Sequence, residues 1–544
     1  KSLFCCGVSP LGLAQADINV ARITTDTTIR HTLISSPLSN LFNVSTGSSG
    51  PAVSSKHPAS QAIRMIIESI ISCPLALIEK DTYNLPIHRR GGPGEGPVTV
   101  KNTSSLVLHT TLIAAIAGFL TGFDTGLISG ALGFIGDSFA LSSLEKGIVV
   151  STVLAGGAGG ALINGAISDR LGRKAMIMSA AALYAAGSAG SAIAPAPEYL
   201  LAARFVLGLA IGAACASAPL YIAEISPAAR RGTLVTLFQL AITIGILAGY
   251  FLDKLLSGSG SWRLMLGSGI FPAAALFAGM IPLPNSPRWL ISKGRTSEAV
   301  KILAAVSGGD LRKAESDAED VKNILSIERK TKLSELLRAP VVYAVITATG
   351  LFVLQQFSGI NSVMYYAPVI FGEAGLTSSD TALLATVSVG VVNVLSTFIA
   401  VWLLDRAGRK PLLYAGFGGM FLSLAAMGFI FASGGGGWTA ILAVWLYVAC
   451  FAFSLGPIPW LMMTEVFPLS IRGRAVGLVT TAGWGANIVI SLSFLPLLHA
   501  VGLPATFWAY SAVCLVGIFF VLRSVPETRG KTLEEIERSL LVKK

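Results

Sequence analysis

Charge is scarce in this chain. Only 13% of its 544 residues are Asp, Glu, Lys or Arg, against about 25% in an average soluble domain. The 40 basic and 29 acidic side chains could not cover the surface of soluble domains of this total size, and the mean hydropathy of +0.69 points the same way. Disorder, coiled coil and collagen are excluded with them. Histidine is nearly absent, with five in the chain. His109 and His499 stand alone near the ends of apolar runs, and the runs hold no carboxylate dyad, so the usual acid–base equipment of an enzyme is missing. Cysteine numbers six, without metal-ligand spacing. Cys215, Cys450 and Cys514 lie inside apolar runs and read as buried thiols. No metal, cofactor or enzymatic activity is expected. Acidic residues are the minority charge, and the net +11 with a pI near 9.4 raises nucleic acid as a partner. Distribution argues against that: the basic residues sit in short clusters between apolar runs, as membrane topology requires.

Apolar residues are what the chain has in abundance, at 53%. About 20 of them make one membrane crossing. From Leu106 onward twelve runs alternate with short loops: 107–128, 145–167, 175–195, 199–222, 233–252, 264–283, 341–371, 382–404, 411–433, 438–462, 475–498 and 503–523. Basic clusters follow the second, fourth, eighth and tenth runs, whereas the opposite loops carry little beyond Lys146, Lys254 and Arg263. Both termini are therefore expected in the cytoplasm. The one long loop, about 285–340, is charged and helix-prone. The sequence thus predicts an all-α membrane protein of twelve transmembrane helices in two six-helix halves, 105–284 and 341–524. A cytoplasmic helical linker joins them over 285–340, and a cytoplasmic tail follows over 525–544.

Residues 1–104 are different in kind. The first 60 hold 17 Ser and Thr and few acids. This composition fits a transit peptide and fits an unstructured cytoplasmic extension equally well. The run 66–78 is too short to span, and 91–97 reads as a Gly/Pro linker. The expected location is the plasma membrane, or an organellar membrane such as the plastid envelope if the leader is a transit peptide.

The two halves repeat. Asp169-Arg170-Leu171-Gly172-Arg173-Lys174 recurs 236 residues later as Asp405-Arg406-Ala407-Gly408-Arg409-Lys410. Glu224 with Arg231 recurs 241 residues later as Glu465 with Arg472, each Glu seven residues before its Arg. Orientation needs only the basic residues. The acids, costly near lipid, suggest charge pairs that form and part, a cytoplasmic gate built from Asp169, Arg170, Arg173, Glu224, Arg231, Asp405, Arg406, Arg409, Glu465 and Arg472.

The duplicated D-R-x-G-R-K, Pro284-Asn285-Ser286-Pro287-Arg288-Trp289-Leu290 after the sixth run, and Pro526-Glu527-Thr528-Arg529-Gly530-Lys531 after the twelfth resemble the sugar porters of the major facilitator superfamily. The resemblance covers about residues 105–540. It implies the major facilitator fold and carriage of a monosaccharide, with the protein acting as a monomer. Asn285 departs from the pattern, which usually has Glu there, and removes one partner from the cytoplasmic charge network. Thr121 stands where many relatives have Phe, and Gly483 where many have Asn or Gln.

The sequence places two ionisable residues well inside the spans, Asp124 in the first run and Arg204 in the fourth. At 1.5 Å per residue Asp124 sits ~26 Å up from the cytoplasmic end and Arg204 ~7 Å below the outer edge, so in a core of ~30 Å they share a depth and can pair. Gly118, Gly122, Gly126 and Gly130 form one small face, and Arg204, Gly208, Gly212 and Ala216 another, which is expected to bring the two helices together. A buried carboxylate beside an Arg suits a proton site; a static ion pair is the alternative. The resemblance supports the proton site, since proton-coupled sugar porters carry Asp in this F-D-T-G stretch.

Sugar recognition needs neutral hydrogen-bond groups and an aromatic face. The seventh run carries Gln355, Gln356 and Asn361 in an unusually polar stretch, where Gly359 and Pro368 predict an interrupted helix of the kind that forms transporter sites. Gln239, Asn393 and Trp460 are further candidates. Any one amide alone could be an interhelical hydrogen bond. The resemblance implies that all six positions contact the sugar, that Ile246 tunes affinity, and that Tyr365 and Tyr366 form an outer gate. The function expected is proton–monosaccharide symport. The rivals are a facilitative uniporter and, lower, a non-transporting sugar sensor.

Overall fold

The computed structural model of the protein describes residues 105–227, 231–328, 341–376, 378–467 and 472–528. The leader, the end of the linker and the tail from 529 lie outside the described residues. Among those described, every regular element is helical.

Five long helices open the first half: α1 (Ser105–Phe139), α2 (Ser143–Leu171), α3 (Arg173–Ala192), α4 (Pro197–Ile225) and α5 (Arg231–Leu256). A sixth crossing is split into α6 (Trp262–Gly267) and α7 (Ile270–Met280). Local chemistry sets these boundaries. Ser142 and Glu145 form a capping box at the start of α2. Pro197, whose missing N–H costs nothing in a first turn, opens α4. Gly172, at φ +93°, ends α2 and starts α3, a backbone conformation that side chains resist. Gly408 repeats it at φ +89° in the second half.

The linker holds three short helices, α8 (Pro287–Ser292), α9 (Thr296–Val306) and α10 (Leu311–Glu328). They share a small apolar core of Leu290, Ile291, Ala299 and Ala318. This matches the helical middle loop read from the sequence, up to residue 328.

The second half comprises α11 (Val341–Phe357), α12 (Ile360–Glu373), α13 (Ser379–Ala407), α14 (Arg409–Ala432), α15 (Trp438–Phe453), α16 (Ile458–Val466) and α17 (Arg472–Ser524). The 53 residues of α17 would stretch ~80 Å if straight, far beyond a ~30 Å core. Gly502, at φ +78°, breaks it. The Ile490 carbonyl accepts a hydrogen bond from Ser362 Oγ, and the Tyr510 hydroxyl donates to that same Oγ, each at 3.5 Å. Twenty residues of straight helix would hold these groups ~30 Å apart, so the chain turns back at Gly502. The two arms are the eleventh and twelfth crossings, and α11–α12 and α15–α16 are the broken seventh and tenth.

The glycine faces do not do what their spacing suggested. The α1 stripe packs against α5: β-carbons at Gly118, Gly122 and Gly126 would fall onto the carbonyls of Phe238, Ile242 and Ile246, and one at Gly130 onto the Asp253 side chain. Gly208 and Gly212 of α4 pack against Val153 and Gly157 of α2, with Gly156 and Gly160 answering from the other side. Small faces permit close approach, but they glue α1 to α5 and α2 to α4. The first helix does pack against α4 as expected, but through other residues, the Asp124–Arg204 pair and the Thr121–Cys215 contact among them.

The two halves meet on one side. Gly157 of α2 lies under the Trp484 ring, Tyr250 Oη donates to the Met364 carbonyl at 2.8 Å, and Lys254 pairs with Asp380. Ser143 Oγ and His499 Nε2 lie 2.8 Å apart. These contacts run from mid-membrane to the face opposite the D-R-x-G-R-K motifs, so this conformation is closed at that opposite face.

Candidate functional site

A cavity of about 180 Å³ lies between the halves at mid-depth. Gln239 and Thr480, eight residues into their helices and hence ~12 Å from the motif face, line it on that side. All seven residues expected to touch substrate line it: Gln239 and Ile246 on α5, Gln355 and Gln356 at the end of α11, Asn361 at the start of α12, Asn393 on α13 and Trp460 on α16.

The break at Gly359 is what assembles the polar cluster. On an ideal helix Gln355 and Asn361 point apart. Gly359 takes φ +87°, which ends one helix and starts the next at a new angle. Asn361 Nδ2 then donates to Gln356 Oε1 at 2.5 Å, and Gln356 Nε2 donates to Gln355 Oε1 at 3.0 Å. Gln355 Nε2 is anchored by the Leu455 carbonyl at 2.5 Å, within the second broken crossing. A chain of amides fixed at one end presents oriented donors and acceptors to the cavity. Trp460 supplies the flat apolar surface, held edge-on by Phe352 with ring centroids 4.9 Å apart.

Asp124 forms part of the cavity wall. Arg204 Nη1 donates to Asp124 Oδ1 at 2.9 Å and Nη2 to Oδ2 at 3.4 Å. Arg204 is 1% exposed and Asp124 5%. The depth argument from sequence is met, and one face of a buried ion pair borders the cavity. Arg204 Nε has no hydrogen-bond partner, so the guanidinium depends on this single carboxylate. Removing one member of such a pair strands a charge, at a cost of ~3–5 kcal/mol.

Two expectations need correction. Tyr365 lines the cavity together with Thr125 of α1 and Asn487 of α17, between the two halves. Tyr366 turns the other way. It is fully buried in the second half, stacked on Phe494 at 5.0 Å, with its hydroxyl donating to the Ser491 carbonyl at 3.0 Å. The backbone kinks at Tyr366 (φ −111°, ψ 18°), and only Tyr365 of the two lines the cavity. The second correction is Asp253. The fifth run was ended at 252, yet α5 continues to Leu256, and Asp253 is 0% exposed. Asp124 and Arg204 are therefore not the only buried ionisable groups.

Asn487 was missed. Its amide lines the cavity one helical turn beyond Gly483, the position where an amide was thought lost. The signal was present, an Asn within an apolar run. Thr121 also lines the cavity, its hydroxyl 3.2 Å from Cys215 Sγ, so a small polar pair forms that wall.

On the motif face, Arg173 pairs with Glu224 at 3.4 Å and with Asp169 at 2.9 Å, and Arg409 pairs with Glu465 at 2.7 Å. Each pair stays within its own half. Ser286 donates to Glu224 and Thr528 Oγ1 to Glu465, so the repeat extends to the hydroxyl that holds each Glu. Glu527 accepts from the backbone N–H groups of Arg409 and Lys410 at 3.0 and 2.9 Å, capping α14. Arg170 is exposed, and Arg406 stacks over the Trp402 ring at 4.0 Å. The side chains of Arg231, Asp405 and Arg472 lie outside the described residues.

Comparison with known proteins gives a family and close structural likenesses. The family model described as sugar (and other) transporter matches residues 110–540. An arabinose-proton symporter of Escherichia coli (strain K12) is 40% identical over 454 residues, 82% of this chain and 96% of the relative. A galactose-proton symporter from the same strain is 39% identical over 445 residues, 81% and 96% of the two chains. The solved structure of the proton:xylose symporter XylE bound to 6-bromo-6-deoxy-D-glucose superposes with a TM-score of 0.71 at 33% identity, covering 81% of this chain and all of that one. A partially occluded inward-open conformation of the xylose transporter XylE from E. coli gives 0.71 at 32%, covering 79% and 100%.

Proposed function

The chain belongs to the sugar transporter family, and from that premise we propose that it is a proton–monosaccharide symporter working by alternating access. The observation that carries the reading is Asp124, buried and paired with Arg204, in the wall of a cavity whose other described lining residues, neutral amides and Trp460 among them, carry no charge. The relatives named above are symporters of arabinose, galactose and xylose with protons, which supports a pentose or hexose as cargo.

The neutral groups bind sugar. Gln239, Gln355, Gln356, Asn361 and Asn393 offer hydrogen bonds, Asn487 adds a sixth amide, and Trp460 covers an apolar face of the ring. Ile246 shapes the cavity beside them. Asp124 carries the proton. When protonated it holds Arg204 more weakly, and the carrier favours the conformation open at the face opposite the motifs. Sugar binding draws Tyr365 against Thr125 and closes that face. Once sugar and proton leave on the motif side, the ionised carboxylate pairs with Arg204 again. The conformation described here, with the pair formed and the opposite face shut, fits that last stage.

The Arg173–Glu224 and Arg409–Glu465 pairs, with Asp169, Arg170, Arg231, Asp405, Arg406 and Arg472, form the gate of the motif face, which we place in the cytoplasm with both termini. The protein works as a monomer, in the plasma membrane or an organellar envelope. The deciding experiment uses purified protein in proteoliposomes without a pH gradient. Addition of arabinose, galactose, xylose or glucose should drive proton entry along with the transported sugar. Sugar entry without proton entry would make the protein a uniporter.

A further inference from the structure

One buried acid plays no part in that mechanism. Asp253 lies near the end of α5 with 0% exposure. Its Oδ2 accepts a hydrogen bond from the Gly130 N–H at 2.9 Å, and its Oδ1 receives none. A side chain at Gly130 would collide with it, so the carboxyl is seated in a slot that α1 leaves for it. No described cation neutralises it. Lys254, the next residue, turns to Asp380, and Arg204 is committed to Asp124. An ionised carboxylate held by one hydrogen bond and fully buried is among the costliest arrangements a protein can contain, whereas the neutral acid is tolerated.

We propose that Asp253 is a second proton-binding site, occupied when the face opposite the motifs is closed. The proton sits on Oδ1, leaving Oδ2 to accept from Gly130. The site's place in the fold says what the proton does. Gly130 lies six residues beyond Asp124 along α1, ~9 Å further toward the opposite face. Tyr250 and Lys254, on either side of Asp253 in α5, are the residues through which α5 grips the second half, at the Met364 carbonyl and at Asp380. Opening that face releases both grips and lets water reach the slot. Closing it again buries the carboxyl, which requires a proton from water on that side to form the Oδ1–H bond. The same proton returns to the same side when the face reopens. It is therefore not cargo: it makes closure depend on pH without entering the sugar-to-proton ratio. The ionisable groups set beside the slot are Tyr250 and Lys254 on α5 itself, with Asp380 of α13 reached through Lys254. Of the Lys254–Asp380 pair, Asp380 is exposed and Lys254 half-buried.

The inference rests on alternating access but not on Asp124 as the coupling site, and its test separates the two. Infrared difference spectra of the purified protein should show the carbonyl band of a protonated carboxylic acid. That band should vanish in Asp253→Asn and persist in Asp124→Asn. Sugar exchange, followed between about pH 6 and 8, should weaken toward alkaline pH in the wild type, by at most about tenfold per unit for one proton. Asp253→Asn should flatten this profile and leave the sugar-to-proton ratio unchanged. Asp253→Ser, which removes the carboxyl without adding bulk, is measured in parallel should the Asn variant fail to fold. A band that survives removal of Asp253, or an unchanged pH profile of exchange, would overturn the proposal.

Discussion

The two halves share a motif set and a helix count, yet they hold different chemistry at the cavity. α1 is one continuous helix of 35 residues, and its charged contribution is the carboxylate Asp124, paired with Arg204 of the same half and flanked in the wall by Thr121 and Thr125. Its counterpart in the second half is broken at Gly359 into α11 and α12. Shifting Asp124 by the 236-residue repeat lands at Ile360, beside the neutral Asn361. Charge sits where the helix is intact, and amides cluster where it is broken. A break offers loose backbone and new side-chain directions, which suits fitting a neutral polyol. A continuous helix holds one ionisable group at a fixed depth, which suits a proton site.

This division of labour can be broken from either side. The largest effect is expected from Arg204→Leu, which strands Asp124: about 3–5 kcal/mol of stability should be lost if Asp124 stays ionised, read as a lowered Tm in detergent, together with loss of transport. Next comes Gly122→Leu, which would drive a side chain into the Ile242 carbonyl and pry α1 from α5. Overpacking of this kind costs about 1–3 kcal/mol, and thermal unfolding should show it while Gly133→Leu, which faces open space, shows little. Asn361→Ala removes a donor of the amide chain in the second half. Losing a buried hydrogen-bond partner costs about 1–3 kcal/mol, so KM for sugar should rise by about five- to 150-fold, while protons carried per sugar stay the same. A change in that ratio would mean the halves do not divide the work.

The smallest effect sharpens the comparison at the motif face. Gly408 is covered by the Glu527 carboxylate, whereas its twin Gly172 is covered by the Trp289 ring, with Asn285 at the position matching Glu527. Asn285→Glu should give α3 the anionic cap that α14 already has, adding about 0.3–1 kcal/mol at low ionic strength. Glu527→Gln should weaken the existing cap by a similar amount. Thermal unfolding at low and high salt separates the two, since the gain in Asn285→Glu should shrink as salt rises.

Most of the architecture was readable because membrane helices announce themselves by length and hydropathy, and because amides stand out in apolar runs. Gln355, Gln356 and Asn361 were legible as a group for that reason, and Gly359 marked the break that joins them. What was illegible depends on three-dimensional direction. A four-residue glycine stripe says that a helix packs tightly but not against which neighbour, so the α1 stripe was matched to α4 when it packs on α5. Tyr365 and Tyr366 are chemically equal in sequence, and only the local backbone direction, kinked at Tyr366, separates a cavity-lining residue from a core residue. Asp253 was hidden by its place, one residue past the point where hydropathy stops being informative about burial. Asn487 stands one turn beyond Gly483, so the amide missing at Gly483 is supplied from the next turn, an offset that motif matching does not reveal.

Asp124 is proposed to couple sugar to protons, while neutral amides, all but Gln239 in the second half, bind the sugar. The most direct measurement compares uphill accumulation with equilibrium exchange of labelled sugar in proteoliposomes, for the wild type and Asp124→Asn. The expected result is that Asp124→Asn loses accumulation driven by a pH gradient and keeps exchange. Accumulation at the wild-type level in Asp124→Asn would contradict it.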